Sequence, residues 1–334
     1  MPTHIADWLS AGSYGVMTHY LITPQGGSDA ERTAEFNRIV DAFDLDTFLA
    51  QFMRSRADWL LFTIGQNTGY YCSPNGFLDT ALPGRTSRRD LILELASRLK
   101  ALGKRFIVYL PAEVAGQEEP VRSAFVWDPY DQSGFVERYL SFVRDYSLKL
   151  GKLHDGWWFD GCYDTVVRNK WWDWSAWLAA AKAGNPDAIV AFNDGAFCVG
   201  RYHPVTPLQD YHAGEVHLLE DGKIRVDFVH EGTRVLPDGR LRFPGQTQAA
   251  LYMPESRYID GVQWHALLPV DSTFHPLIPA QSYPDDVLFR WVLDCKAVGG
   301  AVTLNVPIDT ANGRIPEKTA QQLQRLGEYV SAAL

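Results

Sequence analysis

The chain predicts an α/β protein, a single domain over residues 1–334 folded as a (β/α)8-like barrel of the TIM type. Three observations carry that expectation. Strand-like apolar runs alternate with helix-period segments almost from end to end, as they do where parallel strands are joined by crossover helices. The alternation gives roughly eight units, the number that closes a barrel. No glycine-rich phosphate loop follows the first strand, since Gly15 lies inside it and Gly26-Gly27 well past it. The doubly wound nucleotide-binding fold therefore lacks its motif.

The elements follow in order. Ser13–Tyr20 (SYGVMTHY) reads as the first strand, and Asp46–Arg56 as a helix with Phe48, Leu49, Phe52 and Met53 on one face. Trp59–Ile64 (WLLFTI), apolar but for Thr63, reads as a buried strand. Ser87–Leu102 places Leu91, Ile92, Leu95 and Leu99 on a helical stripe, and Gly103 is a favoured residue for ending it. Arg105–Leu110 is the third strand, Phe135–Leu150 a helix, and Gly156–Phe159 the fourth strand. Trp171–Ala183 is helical up to the stop at Gly184-Asn185-Pro186, and Ala188–Asn193 is the fifth strand. Residues 195–258 are loop-rich, with a strand suggested at Ile224–Val229. Further strands are expected at Asp260–Trp264 and Ala301–Val306, with helices at Asp286–Ala297 and from Pro316 to Val330.

Composition narrows the function. A net charge of −9 with no basic cluster argues against a nucleic-acid partner. The N-terminus lacks the basic start and apolar core of a signal peptide, and no long uncharged apolar stretch predicts a membrane span. A cytoplasmic location is expected, with Cys72, Cys162, Cys198 and Cys295 as reduced thiols. The 11 tryptophans and 15 tyrosines tilt the expectation slightly toward a carbohydrate, whose C–H faces stack on aromatic rings.

In a barrel of this kind the chemistry gathers at the carboxyl ends of the strands. Those ends offer His19, Tyr20, Gln66, Asn67, Glu113, Asp160, Asn193, Asp194, His265 and Asn305. The set holds carboxylates, amides and imidazoles. It lacks the His-x-His pattern with partner carboxylates of a metal-hydrolase barrel, so no metal and no cofactor is expected. Asp160 stands out because Asp155-Gly156-Trp157-Trp158-Phe159-Asp160-Gly161 sets a carboxylate at the end of an aromatic strand. By itself this segment reads equally as catalysis on a sugar or as a turn or helix-capping aspartate.

Several segments taken together resemble the retaining α-L-fucosidases of glycoside hydrolase family 29. Gly15-Val16-Met17-Thr18-His19 is similar to that family's first strand, whose histidine holds a sugar hydroxyl. Ala57–Tyr70 is similar to its second strand and the loop after it, and Trp157–Gly161 to the Trp-Phe-Asp-Gly strand whose aspartate is the nucleophile. Gly299–Pro307 with Asn312–Pro316 resembles the block that closes its catalytic domain. The resemblance implies a retaining exo-glycosidase with Asp160 as nucleophile and His19 on the sugar. The family's tandem histidines are here Gln66 and Asn67, and the Trp-Gly after its first histidine is Tyr20-Leu21. A sugar other than fucose is therefore open, as is a catalytically silent carbohydrate-binding protein on the same barrel. The β-sandwich that many members carry is not expected.

The acid/base does not transfer by motif. Glu215, in Gln209–Glu215 after the fifth strand, is the first candidate; Glu231 is its rival and Glu255 a weaker one. Each reads otherwise as a solvated loop carboxylate. Gln66, Asn67 and Tyr71 are expected near the sugar, with Gln66 and Asn67 reading otherwise as loop caps, and with Trp264 beneath the sugar and His265 at its rim. Trp158 shares the face of Asp160 in strand period and either walls the site or fills the barrel. Trp171, Trp172, Trp174 and Trp177 read mainly as helix-to-barrel packing.

Overall fold

A computed structural model describes residues 4–162, 172–195, 204–226, 234–235, 241–242, 250–273 and 279–333. Seven parallel strands among them form one curled sheet: β1 (Gly15–Thr18), β2 (Trp59–Thr63), β3 (Arg105–Pro111), β4 (Gly156–Asp160), β5 (Ile189–Phe192), β6 (His265–Pro269) and β7 (Ala301–Val306). Their spatial order is β6-β7-β1-β2-β3-β4-β5. The expected (β/α)8-like class is therefore observed.

The two edges of the sheet do not stay open. Asp210 N–H donates to the Val190 carbonyl of β5 at 2.9 Å, while Val216 N–H donates to Leu267 O of β6 at 2.9 Å. His212 N–H reaches Gln263 O at 2.9 Å, and Leu267 N–H returns a bond to Gly214 O at 2.7 Å. The segment 210–216 thus stands as an irregular eighth stave, occupying edges that would otherwise expose unpaired backbone. Gly214 permits this contact. Its φ is +68°, and a Cβ there would lie 1.9 Å from the His265 carbonyl oxygen.

Strand alternation sorts the side chains into two cores. Met17, Leu61, Ile107, Tyr109, Trp158, Ala191, Tyr211 and Leu267 fill the barrel. Val16, Leu60, Phe62, Val108, Trp157, Phe159, Val190 and Leu268 point outward and pack under the helices. Strands buried on both faces explain why these segments read as continuous apolar runs.

The helices start where a side chain can cap them. Asp44 caps Leu45–Arg54 through Thr47 N–H, Asp90 caps Leu91–Ala101 through Leu93 N–H, and Asp173 caps Trp174–Ala181. The helices expected from Ser87 and Trp171 begin only at Leu91 and Trp174, because the cap itself is not helical, whereas the one expected from Asp46 begins one residue earlier, at Leu45. Leu91, Ile92, Leu95 and Leu99 form the buried stripe. Ser133–Leu150, Asp285–Ala297 and Glu317–Ala333 complete the larger helices.

One strand differs in kind. Instead of ending at Trp264, the chain pairs briefly at Val262–Gln263 and then runs on as β6, His265–Pro269. The strand suggested at Ile224–Val229 is seen as Lys223–Val226, its last three residues lying outside the described set, as do Trp171 and Cys198. Cys72 and Cys295 are buried free thiols, and Cys162 is buried as well. Among the described residues no helix is long and apolar enough to cross a membrane, and no cluster of His, Cys, Asp or Glu is arranged to hold a metal ion.

Candidate active site

Asp160 is the last residue of β4 and is 8% exposed. Gly161 turns the chain sharply away at φ +82°, and a Cβ there would lie 2.8 Å from Glu113 Cγ. Burying a carboxylate is costly unless donors surround it. Four do. Oδ1 accepts from Gly161 N–H at 2.9 Å and from Asn193 Nδ2 at 2.8 Å. Oδ2 accepts from the Tyr109 hydroxyl at 2.5 Å and from Gln66 Nε2 at 3.1 Å.

Asn193, just past β5 and almost fully buried, joins two carboxylates. Its Nδ2 donates to Asp160 Oδ1 and also, at 2.6 Å, to Glu215 Oε2. The amide oxygen accepts from Gly195 N–H at 3.1 Å. An amide NH2 has two hydrogens, and both are spent here, one on each carboxylate. Glu215 is half-buried and reaches this position from the stave 210–216.

Opposite this pair lies His19, immediately beyond β1. Its Nδ1 is 3.2 Å from Asn305 Oδ1, and its ring meets the Tyr109 ring edge-on at 5.2 Å. Burial pushes the imidazole down to about 4, against the opposing pull of the Asp160 carboxylate, so the ring is neutral at ordinary pH. Glu113 follows β3 and is buried against Gly161, its carboxylate accepting from the Ala115 backbone N–H. Burial pushes it up to about 7, and the Asp160 charge adds to the shift.

The structure therefore brings together Asp160, Glu215, His19 and Gln66. Asn67 is exposed on the same loop as Gln66, near Gly116. Trp158 lies one layer below Asp160, stacked on Tyr109 with centroids 5.2 Å apart, its Nε1 donating to Ala213 O. It fills the barrel.

Three expected residues are not brought to the site. Tyr71 is wholly buried on the outer side of the sheet, edge-on to Phe142 and hydrogen-bonded to Gln117. Trp264 and His265 precede or open β6 rather than closing a strand, which places them toward the amino ends of the strands. His265 pairs with Ala301, the first residue of β7, and is wholly buried between Thr303 Oγ1 and the carbonyls of His212 and Ala213. The cause is the misplaced strand: with β6 running to Pro269, its carboxyl end is elsewhere. Glu231 lies outside the described residues, and Glu255 is exposed.

Two members of the site had weaker signals. Asn193 stood among the strand-end residues with no assigned part. Tyr109 sits inside a strand, but it shares the inward face with Ile107 and pairs with Trp158, which would have placed it one layer beneath Asp160.

The fold and site together define an α/β barrel of TIM type whose strand ends carry a buried carboxylate tied through an amide to a second one. Solved structures share this fold. The endo-fucoidan hydrolase MfFcnA4 from glycoside hydrolase family 107 aligns at 18% identity and a TM-score of 0.65, over 98% of this chain and 53% of that one. The alpha-L-fucosidase isoenzyme 1 from Paenibacillus thiaminolyticus aligns at 18% identity and a TM-score of 0.61, over 98% and 75% of the two chains. A fucosyltransferase mutant of the alpha-L-fucosidase AlfC aligns at 14% identity and a TM-score of 0.58, over 98% and 99%. At such identities the likeness is one of fold, and it extends to family 107 as readily as to fucosidases. This chain spans about half the length of MfFcnA4. No protein-family model matches the sequence, and no curated protein matches it.

Proposed function

We propose that the protein is a retaining glycoside hydrolase with Asp160 as nucleophile and Glu215 as acid/base. The Asn193 bridge is the observation that carries this reading. Bonds of 2.8 and 2.6 Å from one nitrogen limit the separation of Asp160 Oδ1 and Glu215 Oε2 to their sum. That ceiling falls short of the roughly 6.5–9.5 Å that admits a water in inverting enzymes, and suits the roughly 5–5.5 Å of retaining ones.

In the first step an Asp160 oxygen bonds to the anomeric carbon, the glycosidic C–O bond breaks, and Glu215 gives its proton to the departing oxygen. In the second, Glu215 takes a proton from water, whose oxygen displaces Asp160 and frees the sugar. Tyr109, Gln66 and Asn193 hold the nucleophile in place throughout. The aligned structures bear the names of fucosidases and fucoidan hydrolases, which makes an α-L-fucose-configured glycoside the first to try, with exo action expected.

Turnover of a panel of 4-nitrophenyl glycosides, beginning with the α-L-fucoside, tests the proposal. Asp160→Ala should abolish turnover, and a 2-fluoro glycoside should leave its mass on the peptide containing Asp160. An unchanged rate in Asp160→Ala would sink the assignment. Gln66 and Asn67, standing where the resembled family has histidines, favour a second reading as a silent sugar-binding protein. Monosaccharide binding without hydrolysis of even activated glycosides would select it.

A further inference from the structure

The groups behind His19 form a chain whose hydrogens can be assigned one by one. Ser272 Oγ donates to the backbone carbonyl of Asn305 at 2.8 Å. A hydroxyl has one hydrogen, so toward the Asn305 side chain, 3.1 Å away, Ser272 can only accept. The amide therefore turns its NH2 to Ser272 and its oxygen to His19 Nδ1. An oxygen accepts, so Nδ1 must carry the proton. In a neutral ring Nε2 is then left with the lone pair.

We propose that Asn305, anchored by Ser272, is a positioning residue that holds His19 as its Nδ1–H tautomer, making Nε2 an obligate acceptor for a free hydroxyl of the sugar. The inference rests on the reading of this pocket as a sugar site. It adds a rule of specificity: the position that meets His19 is an unsubstituted hydroxyl. A methyl ether or an ester at that position offers only lone pairs to a lone pair and makes no hydrogen bond with it.

The groups facing His19 are consistent with a neutral ring. Asn305 comes from β7, the edge of Tyr109 from β3, and the Asp160 carboxylate from β4. The Asp160 charge and the hydrogen bond to Asn305 both favour a charged imidazole, and burial outweighs them. Asn305 is itself 2% exposed, so water does not compete for its amide.

Long-range 1H–15N correlation on the histidine-labelled protein at pH 7 tests the inference, with His19 assigned by comparison with His19→Gln. A neutral, Nδ1-protonated His19 is expected. An Nε2-protonated or charged ring overturns the proposal. Ser272→Ala releases the amide and should populate the Nε2–H form, whereas a lower melting temperature with an unchanged tautomer would mean a merely structural part and overturn it. Asn305→Asp keeps an acceptor on Nδ1 but adds charge, so His19 should begin to titrate between pH 5 and 7. With 4-nitrophenyl α-L-fucoside, KM of that variant should rise about tenfold from pH 8 to pH 5 while kcat changes less. A flat KM would count against it. The spectra require no turnover, so a failed glycosidase assignment and a failed tautomer assignment remain distinct results.

Discussion

Two glutamates flank Asp160, and they are held in opposite ways. Glu113 lies against Gly161, the residue after Asp160, deeply buried and bonded to the backbone N–H of its own loop. Glu215 arrives from a different stretch of chain, is half-buried, and shares a side-chain donor with Asp160. Proximity and a raised pKa alone would select Glu113 as the general acid. The proposed reading takes Glu215 instead, because one amide nitrogen ties it and Asp160 into a single geometry. The contrast teaches that a perturbed carboxyl near a nucleophile is also what a packed strand end produces.

The strongest way to break the comparison is through the leaving group. Glu215→Gln should lower kcat by roughly 10²–10⁴-fold on glycosides with poor leaving groups, the usual worth of a general acid. It should cost far less on dinitrophenyl glycosides, which depart without a proton. Rates across a series of aglycones check this. If Glu113→Gln instead shows that dependence and Glu215→Gln does not, the two parts are exchanged.

Next in size is the bridge. Asn193→Ala removes the donor common to both carboxylates, so kcat should fall roughly 10–10²-fold, a loss of positioning rather than of chemistry. KM should move little, and stopped-flow or steady-state rates on one activated glycoside are sufficient to see it. Asn193→Asp should be worse, since three carboxylates would then crowd one site.

What the sequence made legible follows from what each residue does locally. Strands β1 to β5 and β7 are two-sided apolar runs, so their places could be read directly. Segment 210–216 could not be read as part of the barrel. Asp210, His212 and Glu215 interrupt it with polar residues, and it joins the sheet through backbone bonds, through Tyr211 and Ala213 pointing inward, and through Val216 in the outer core. The break at Gly261 drew the last-but-one strand too early, and His265 and Trp264 were carried to the wrong end with it. Asp160, His19 and Gln66 could be singled out because they lie at a strand's end or within three residues beyond it. Tyr109 could not, since its hydroxyl reaches the site from within a strand, and no spacing records the amide that joins Asp160 to Glu215.

The smallest effect is on stability, and it isolates Glu113. Its carboxyl is pushed up to about 7 in the folded protein, from an ordinary value near 4.5. Between those values the folded state binds a proton that the unfolded state has lost, so this residue's contribution is present at low pH and fades as pH rises through 7. Glu113→Gln removes the titration. Relative to the native protein, the variant should therefore gain on the order of 2 kcal/mol between pH 5 and pH 8, read from urea midpoints at constant m. The buried histidines oppose this background: His19, His154 and His265 are each pushed down to about 4, so both proteins lose stability as pH falls from about 6.5 toward 4. That loss is common to the pair and cancels in the difference. A difference that stays flat across pH 5 to 8 would show that the Glu113 carboxyl is not raised in the fold, and would remove the raised pKa as a ground for considering it as the acid.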